Sequence, residues 1–309
     1  MTITQLQYVL AVAEHKNFTS AAEKCFVTQP TLSMQIQKLE EELDVKIFDR
    51  NKKPIELTDV GKKVVEQAKK IVIESDRIKD IIEQEKGYIG GEFRLGILPT
   101  IMPSLLPLFL NNFVKKYPKV HLIVEEHTTE EILYRLEKGL LDAAIVATPL
   151  QQDNVKEIVL YYEPFVGYFP PDYKRDKKEI TVEDIDINEI LLLQDGHCFS
   201  NGIMNLCNAR ATQLQNKTEL KSGSFETLLQ LADTGLGVTF LPYLHTLDLS
   251  EKRKNNLIEF SDPKPSREVS LIFPKDELKK QIIDALHGVI SGVVRGVITF
   301  QDVKIISPK

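Results

Sequence analysis

Apolar residues in the first 58 positions recur at helical spacing. Leu6, Val9, Leu10 and Ala13 form one stripe, and Thr4 with Gln7 has the spacing of a capping box at its start. A short second helix is predicted from Thr19 or Ser20 to about Cys25, with Glu23 placed to cap back to Ser20. Thr28 is a good N-cap for a third helix running to about Leu43. Its first turn holds Gln29 and Pro30, where the N–H that proline lacks has no helical partner to lose. Ile47-Phe48 and Ile55-Glu56-Leu57 flank the turn-like stretch from Arg50 to Pro54, which predicts a small hairpin. Three helices and a hairpin make a winged helix-turn-helix.

From Thr58 a long helix is expected to about Lys86. Val64, Ala68, Ile71, Ser75, Ile78 and Ile82 follow the alternating spacing of a coiled-coil seam, although a helix packed on its own domain would show a similar stripe. Gly87, Gly90 and Gly91 then break the pattern. Beyond them, strand-like and helix-like segments alternate. Phe93–Ile97 reads as a strand, Ser104–Lys116 as a helix, Val120–Glu125 as a strand, Thr129–Lys138 as a helix and Ala143–Val146 as a buried strand. Ile190–Leu193, Ser224–Asp233 and Val238–Leu241 continue the theme as strand, helix and strand. A late strand, Val269–Phe273, and a helix, Asp276–Val294, are placed back on the first half. The order implies an α/β domain with a mostly parallel sheet, helices on both faces, and two lobes around a cleft. The expected division is residues 1–58 for DNA binding, 59–88 for a linker helix and 89–309 for a regulatory domain. Within the last, one lobe takes 89–163 and 269–309, and the other takes 164–268.

Composition narrows the function classes. A chain of 309 residues is too long for one ordinary core, and 42% hydrophobic with 27% charged residues is globular rather than disordered. A net charge of −6 excludes nucleic-acid binding through bulk basicity, so any DNA contact is a local patch. Residues 1–65 hold nine Lys and Arg against nine Asp and Glu, so binding depends on where the positive charges sit. The start lacks the pattern of a signal peptide. The charge-free run from Leu95 to Val114 is interrupted by Pro99, Pro103 and Pro107, which argues against a membrane span. A soluble, cytoplasmic protein is expected. Three cysteines exclude a disulfide scaffold, and a reducing compartment would keep them as thiols.

The third helix has the chemistry of a reading helix. Leu32, Ile36 and Leu39 take the core face and leave Gln29, Thr31, Ser33, Gln35 and Lys38 outside. Glutamine can bond both groove-facing groups of adenine, and Arg50, Lys52 and Lys53 in the wing can meet phosphates. Phe18-Thr19-Ser20-Ala21-Ala22, Val27-Thr28-Gln29-Pro30-Thr31-Leu32-Ser33, Ile36, Leu39-Glu40, Leu43, Phe48, Arg50, Leu57-Thr58 and Gly61 together resemble the N-terminal signature of LysR-type transcriptional regulators. Asp44 stands where that family usually has glycine. The resemblance implies a winged helix-turn-helix on promoter DNA, with Thr28, Gln29, Pro30, Thr31, Ser33, Gln35, Lys38, Arg50, Lys52 and Lys53 as its contact set. It also implies a dimerising linker helix, a periplasmic-binding-protein-like effector domain, homodimers paired into homotetramers, and RNA polymerase as a partner. Cys25 replaces a large apolar residue of the family pattern and is expected to be a small buried hydrophobe.

In the regulatory half, the strand-like Leu191-Leu192-Leu193 leads to Asp195-Gly196-His197-Cys198, and Cys207 follows nine residues later. If Ser200–Leu206 is helical, a rise of ~1.5 Å per residue separates the two cysteines by about 13 Å. A disulfide needs Cα atoms within roughly 7 Å, so joining them would require the segment to unwind, and Gly202 lowers the cost of doing so. Two unrelated buried thiols remain the plainer reading of the spacing alone. A zinc site is disfavoured, because Cys198, Cys207 and His197 are too few ligands and lack CxxC spacing.

The Asp-Gly-His-Cys motif with its second cysteine is similar to the hallmark of the peroxide-sensing branch of that family, the OxyR regulators. Ala13-Glu14-His15, Gly96-Ile97-Leu98-Pro99-Thr100, Leu105-Leu106-Pro107 and Ser224-Phe225-Glu226-Thr227-Leu228 extend the likeness. The resemblance implies Cys198 as the peroxidatic thiol and Cys207 as the resolving one. Thr100, Thr128, His197 and Arg267 match positions that shape the peroxide pocket or steady the thiolate. It further implies an activator controlling oxidative-stress genes, reset by thiol reductants of the glutaredoxin or thioredoxin type, with no resident cofactor or metal and no enzymatic role. One alternative is a regulator answering to a small organic anion in the cleft, with structural cysteines. A thiol peroxidase or a solute-binding protein is a third class, disfavoured by the N-terminal reading domain.

Overall fold

Two overlapping Thr-x-x-Gln spacings compete to open the first helix, and the earlier one wins. In the computed structural model, which describes residues 1–85, 89–173, 179–193, 198–206, 224–298 and 303–306, helix α1 spans Ile3–His15. Thr2 Oγ1 accepts from the Gln5 N–H and Gln5 Oε1 accepts from the Thr2 N–H, so Thr4 is already inside the helix and is not its cap. The second helix also starts earlier than expected. Helix α2 is Phe18–Lys24, capped by Asn17, whose carboxamide oxygen accepts from the N–H groups of Thr19 and Ser20. Helix α3, Gln29–Glu42, starts as anticipated on Thr28, with proline in its first turn. Strands β1 (Phe48–Asp49) and β2 (Glu56–Leu57) form the antiparallel wing, and helix α4 runs Asp59–Glu85.

These elements enclose a core of Leu6, Val9, Phe18, Leu32, Ile36, Leu39, Ile47 and Phe48. Val65 and Ala68 on α4 are buried in it, and Val64 and Ile71 pack against it. The first half of the expected seam is therefore occupied by its own domain, whereas Ile78 and Ile82 are 59% and 51% exposed. Gly61 lets α4 start hard against the wing: a Cβ there would meet the Ile47 carbonyl oxygen at 2.0 Å.

The chain divides into two compact units, Met1–Tyr88 and Ile89–Lys309. The second unit begins with β3 (Gly91–Ile97), α5 (Met102–Lys116), β4 (Val120–Glu126), α6 (Thr129–Glu137) and β5 (Ala143–Thr148), all near their expected places. Strand β3 pairs in parallel with both β4 and β5, and β5 is buried at every position. A 14-residue strand, β6 (Val155–Tyr168), follows without any warning from the sequence. After β7 (Glu179–Ile180) come α7 (Cys198–Leu206), α8 (Phe225–Asp233), β8 (Thr239–Pro242), α9 (Tyr243–Thr246), α10 (Glu251–Lys254) and β9 (Leu257–Phe260). Strand β10 (Lys264–Pro274), helix α11 (Lys280–Val294) and β11 (Val303–Ile305) complete the chain.

The main sheet order is β4-β3-β5-β10-β6-β9-β7, and β10 is antiparallel to both β5 and β6. The sheet is therefore mixed, which corrects the expectation of a mostly parallel one: β6 runs against every strand it pairs with, and β10 runs against β5 and β6 while pairing in parallel with β11. Ile190–Leu193 is also not a strand. Ile190 makes a single bridge to Val238, with Leu191 N donating to the Val238 carbonyl at 2.7 Å.

Two hydrophobic cores lie along these strands. One gathers β3, α5, β5, the first half of β6, most of β10, and α11, with Leu244 added from α9. The other gathers Phe165 and Tyr168 from β6, then α7, α8, β8 and β9, with Ile306 added from the C-terminal segment. Strand β6 thus passes from one core to the other, and Glu163 lies at the crossing.

Candidate functional site

The reading face of α3 follows from its burial pattern. Leu32, Ile36 and Leu39 are fully buried, and Gln29, Pro30, Thr31 and Lys38 stand in solvent. Thr28 is exposed and caps the helix through Thr31 N, at 3.4 Å. Ser33 and Gln35 are half-buried and engaged: Ser33 Oγ accepts from Arg50 Nη1 at 3.1 Å, and Gln35 Oε1 accepts from Gln5 Nε2 at 3.3 Å. Arg50 also reaches the buried Glu40 at 3.4 Å and lies 4.9 Å over the Phe18 ring, so it braces the wing against α3. Lys52 pairs with Glu56 at 2.5 Å on the surface, and Lys53 is exposed beside it. Glu40 deepens the brace. Its Oε1 accepts from the Ile47 and Phe48 N–H groups at 2.8 and 3.2 Å.

Sequence reasoning missed Phe26. It is 95% exposed and held in the left-handed region (φ 55°) at the turn before α3, which places an aromatic ring at the rim of the reading face. Cys25, beside it, is half-buried against the domain core, and burial pushes its thiol up, partly offset by Lys24. That environment suits a structural thiol.

In the regulatory unit, the parallel pairing of β3 with β4 brings the loops after both strands to the same edge, the place where α/β sheets bind ligands. Thr100 lies in the first loop and is buried at 3% exposure. Thr128 lies in the second, exposed, and its hydroxyl caps α6 by accepting from Glu131 N at 3.4 Å.

Arg267 comes to Thr100 from β10. Its Nη1 donates to Thr100 Oγ1 and its Nη2 to the Thr100 carbonyl, both at 3.0 Å. Its other edge meets Glu163, fully buried on β6: Nε and Nη2 donate to Glu163 Oε2 at 2.9 and 2.7 Å. The strand register explains the meeting, because Arg267 and Glu163 are directly opposite across β10 and β6. Glu163 Oε1 then accepts from Leu244 N at 2.9 Å, which ties α9 to the pair. Four of the five guanidinium hydrogens are thereby used, and one on Nη1 has no partner among the described residues.

The guanidinium also lies 5.4 Å over the ring of Phe199, the second residue of α7. Phe199 is wedged edge-on against Phe165 and Phe225, at 5.2 and 5.1 Å between centroids. The helix therefore starts at Cys198 against a buried cation. Gln194–His197 and Cys207 lie outside the described residues, as does the Cys198 side chain; the expectations for His197 and Cys207 concern positions not described here. The expected helicity of Ser200–Leu206 is found, and at ~1.5 Å per residue Leu206 lies about 12 Å along the axis from Cys198.

Three further groups at this centre had no sequence signal strong enough to single them out. Glu163 is one. Tyr161, two residues before it on the same face of β6, buries a hydroxyl that has no partner among the described residues; burial and then the Glu163 charge hold its phenol well above the usual range. The His245 ring on α9 lies tilted against Phe225, with centroids 5.0 Å apart. Burial lowers its pKa, Glu226 opposes the shift, and Arg267 adds to it. No cluster of three metal-ligating side chains and no helix long and apolar enough to cross a membrane occurs among the described residues.

The comparisons with known proteins agree over most of the chain. Residues 3–62 match the bacterial regulatory helix-turn-helix proteins of the lysR family, and residues 86–293 match the LysR substrate binding domain. The hydrogen peroxide-inducible genes activator of Pectobacterium carotovorum subsp. carotovorum is 31% identical, over 94% of this chain and 98% of that protein. The DNA-binding transcriptional dual regulator OxyR of Escherichia coli (strain K12) is 30% identical, over 94% and 97%. Among solved structures, a full-length OxyR variant from Pseudomonas aeruginosa superposes with a TM-score of 0.74 at 32% identity, covering 94% of this chain and 98% of that one. An OxyR variant from Corynebacterium glutamicum, solved with hydrogen peroxide bound, gives 0.65 at 25% identity, covering 98% of each. The chain belongs to the LysR family of bacterial regulatory helix-turn-helix proteins, and within it to the OxyR branch.

Proposed function

We propose that this protein is a cytoplasmic transcriptional regulator that binds promoter DNA and responds to hydrogen peroxide through a reversible Cys198–Cys207 disulfide. The observation that carries the reading is the buried Arg267–Thr100 couple at the opening turn of the helix that begins with Cys198. Directional hydrogen bonding from a guanidinium there favours the thiolate, which is the nucleophilic form. The unused Nη1 hydrogen and the Thr100 hydroxyl supply donors for a departing oxygen. The peroxide-bound relative and the names of the curated relatives support the same substrate.

In the proposed sequence, the Cys198 thiolate attacks one peroxide oxygen, the O–O bond breaks, and the leaving hydroxide takes a proton and departs as water. Cys198 is then a sulfenic acid, oxidised by two electrons. Helix α7 unwinds, the Cys207 sulfur attacks Cys198 Sγ, and a second water leaves as the disulfide closes. Thiol reductants reverse the bond: they supply two electrons and two protons, are themselves oxidised to a disulfide, and return Cys198 and Cys207 to thiols. His197 and Thr128 are assigned to the pocket on family resemblance. The repacked lobe changes how protomers associate through the regulatory units and α4 in a homodimer or homotetramer, which alters promoter contacts and recruitment of RNA polymerase. Contacts by Thr28, Gln29, Pro30, Thr31, Ser33, Gln35, Lys38, Arg50, Lys52 and Lys53 belong to the same proposal.

The rival reading, a small organic anion in the cleft, meets an obstacle in Glu163. The Arg267 charge is already neutralised by a buried carboxylate, so the couple offers hydrogen bonds to a neutral ligand but little net charge to an anion. Stopped-flow mixing with peroxide decides between them. Wild type is expected to consume one equivalent with a footprint change, and Cys198→Ser to do neither. Equal consumption and equal footprints in both would overturn the assignment.

A further inference from the structure

Arg267 is neutralised along one edge and open along the other. Glu163 Oε2 takes both Nε and Nη2, Glu163 Oε1 takes Leu244 N, and the carboxylate is wholly enclosed. One side chain therefore fixes the guanidinium plane and joins β6, β10 and α9 around it. We propose that Glu163 is a positioning residue that sets both the orientation and the effective charge of Arg267, and through it the reactivity of the thiol at the start of α7. The inference rests on the reading of Cys198 as the reactive thiol.

The physical reason is the difference between a charge and a dipole. A lone guanidinium in a buried site would stabilise a nearby thiolate strongly. With a carboxylate bonded to its far edge, the two fields largely cancel beyond a few ångströms. Tyr161 does not relieve the carboxylate of this role, because its hydroxyl, on the same strand face, makes no hydrogen bond among the described residues. Arg267 Nη1 keeps its place on Thr100, so directional hydrogen bonding is retained while the electrostatic pull is moderated. Glu163 thus acts as a threshold: it limits the thiolate fraction, and with it the response to low oxidant.

The test uses the full chain with Cys25→Ser and Cys207→Ser, so that Cys198 is the sole thiol, and iodoacetamide as the probe across pH. The alkylation midpoint is expected to fall by about one pH unit in Glu163→Gln, giving about tenfold more thiolate below it. It should rise in Arg267→Gln, return near the parent value in the double variant, and stay near it in Glu163→Asp. A purely architectural role would slow alkylation or weaken folding without moving the midpoint downward. An unchanged or raised midpoint in Glu163→Gln overturns the proposal. If that variant does not fold, the double variant, which leaves no unpaired buried charge, decides instead: a midpoint equal to that of Arg267→Gln alone overturns it. Failure of the parent chain to consume peroxide would sink the sensing function, while the alkylation midpoints would still report on Glu163.

Discussion

Gly202→Ala isolates the refolding step from the chemistry that precedes it. Gly202 sits in the middle of α7, four residues beyond Cys198, and is buried. An added Cβ would lie 3.7 Å from Phe165 Cζ, an ordinary contact, so the substitution creates no clash. What changes is the backbone: alanine in a helix interior is favoured over glycine by about 1 kcal/mol. If disulfide closure proceeds through an unwound α7, that stabilisation adds to its barrier, and about 1 kcal/mol corresponds to roughly fivefold in rate. In the proposed sequence the sulfenic acid forms before unwinding, so it should appear at the wild-type rate. Rapid mixing with peroxide, quenched into dimedone or into a free-thiol label, separates the two phases. The expected result is an unchanged first phase, closure slowed about fivefold, and more dimedone adduct. Closure as fast as in wild type, or faster, would refute the idea that the helix must open.

Phe199→Ala makes the opposite perturbation. It removes two edge-on ring contacts and the cation–π partner of Arg267, and truncating a buried phenylalanine costs about 3–5 kcal/mol, so closure should quicken by tenfold or more while the reduced form melts earlier. His245 provides a pH signature, since burial depresses its folded-state pKa below the unfolded value of about 6.5. Its contribution is complete above that value and lost as pH falls through the folded value. The urea midpoint of wild type should therefore drop more steeply than that of His245→Gln between about pH 7 and 5. Lys53→Ala, at an exposed wing position, should weaken binding to specific and random DNA alike and lower the salt slope of log K by about 0.9, whereas Gln29→Ala should relax sequence preference instead.

Where the chain is periodic, it could be read directly. The stripe of α3, its Thr28 cap, the wing hairpin, and the β3–α5–β4–α6–β5 series all carry the local signals their positions require. Val269–Phe273 was legible as the second half of β10, but β6 and the opening of β10 escaped notice for a physical reason. Strand β6 reads Val-Lys-Glu-Ile-Val-Leu-Tyr-Tyr-Glu-Pro-Phe-Val-Gly-Tyr, with a glutamate and a proline in its middle, and β10 opens Lys-Pro-Ser-Arg-Glu. Those interruptions include Glu163 and Arg267, so the residues that build the site are the ones that spoil the alternation. Arg267 and Thr100 were named through resemblance, and burial then set them apart from Thr128, whose hydroxyl does the local work of a cap. No spacing rule pairs residues 163 and 267; only the strand register does. A glutamate set among Tyr161, Tyr162, Phe165 and Val166 was the available clue, since a charge in such company needs a partner.

The Glu40 brace bears on how operators are spaced. Because one enclosed carboxylate grips both amides that start the wing, and Arg50 is latched to Ser33 and Glu40 at once, α3 and the hairpin behave as a single rigid stamp. In the proposed dimer on promoter DNA, such a stamp cannot stretch to fit a half-site that is a base pair too long. The misfit must be absorbed by bending of the duplex or by the connection leading out of the domain, so tolerance to spacer length should follow DNA stiffness rather than the identity of the contacted bases.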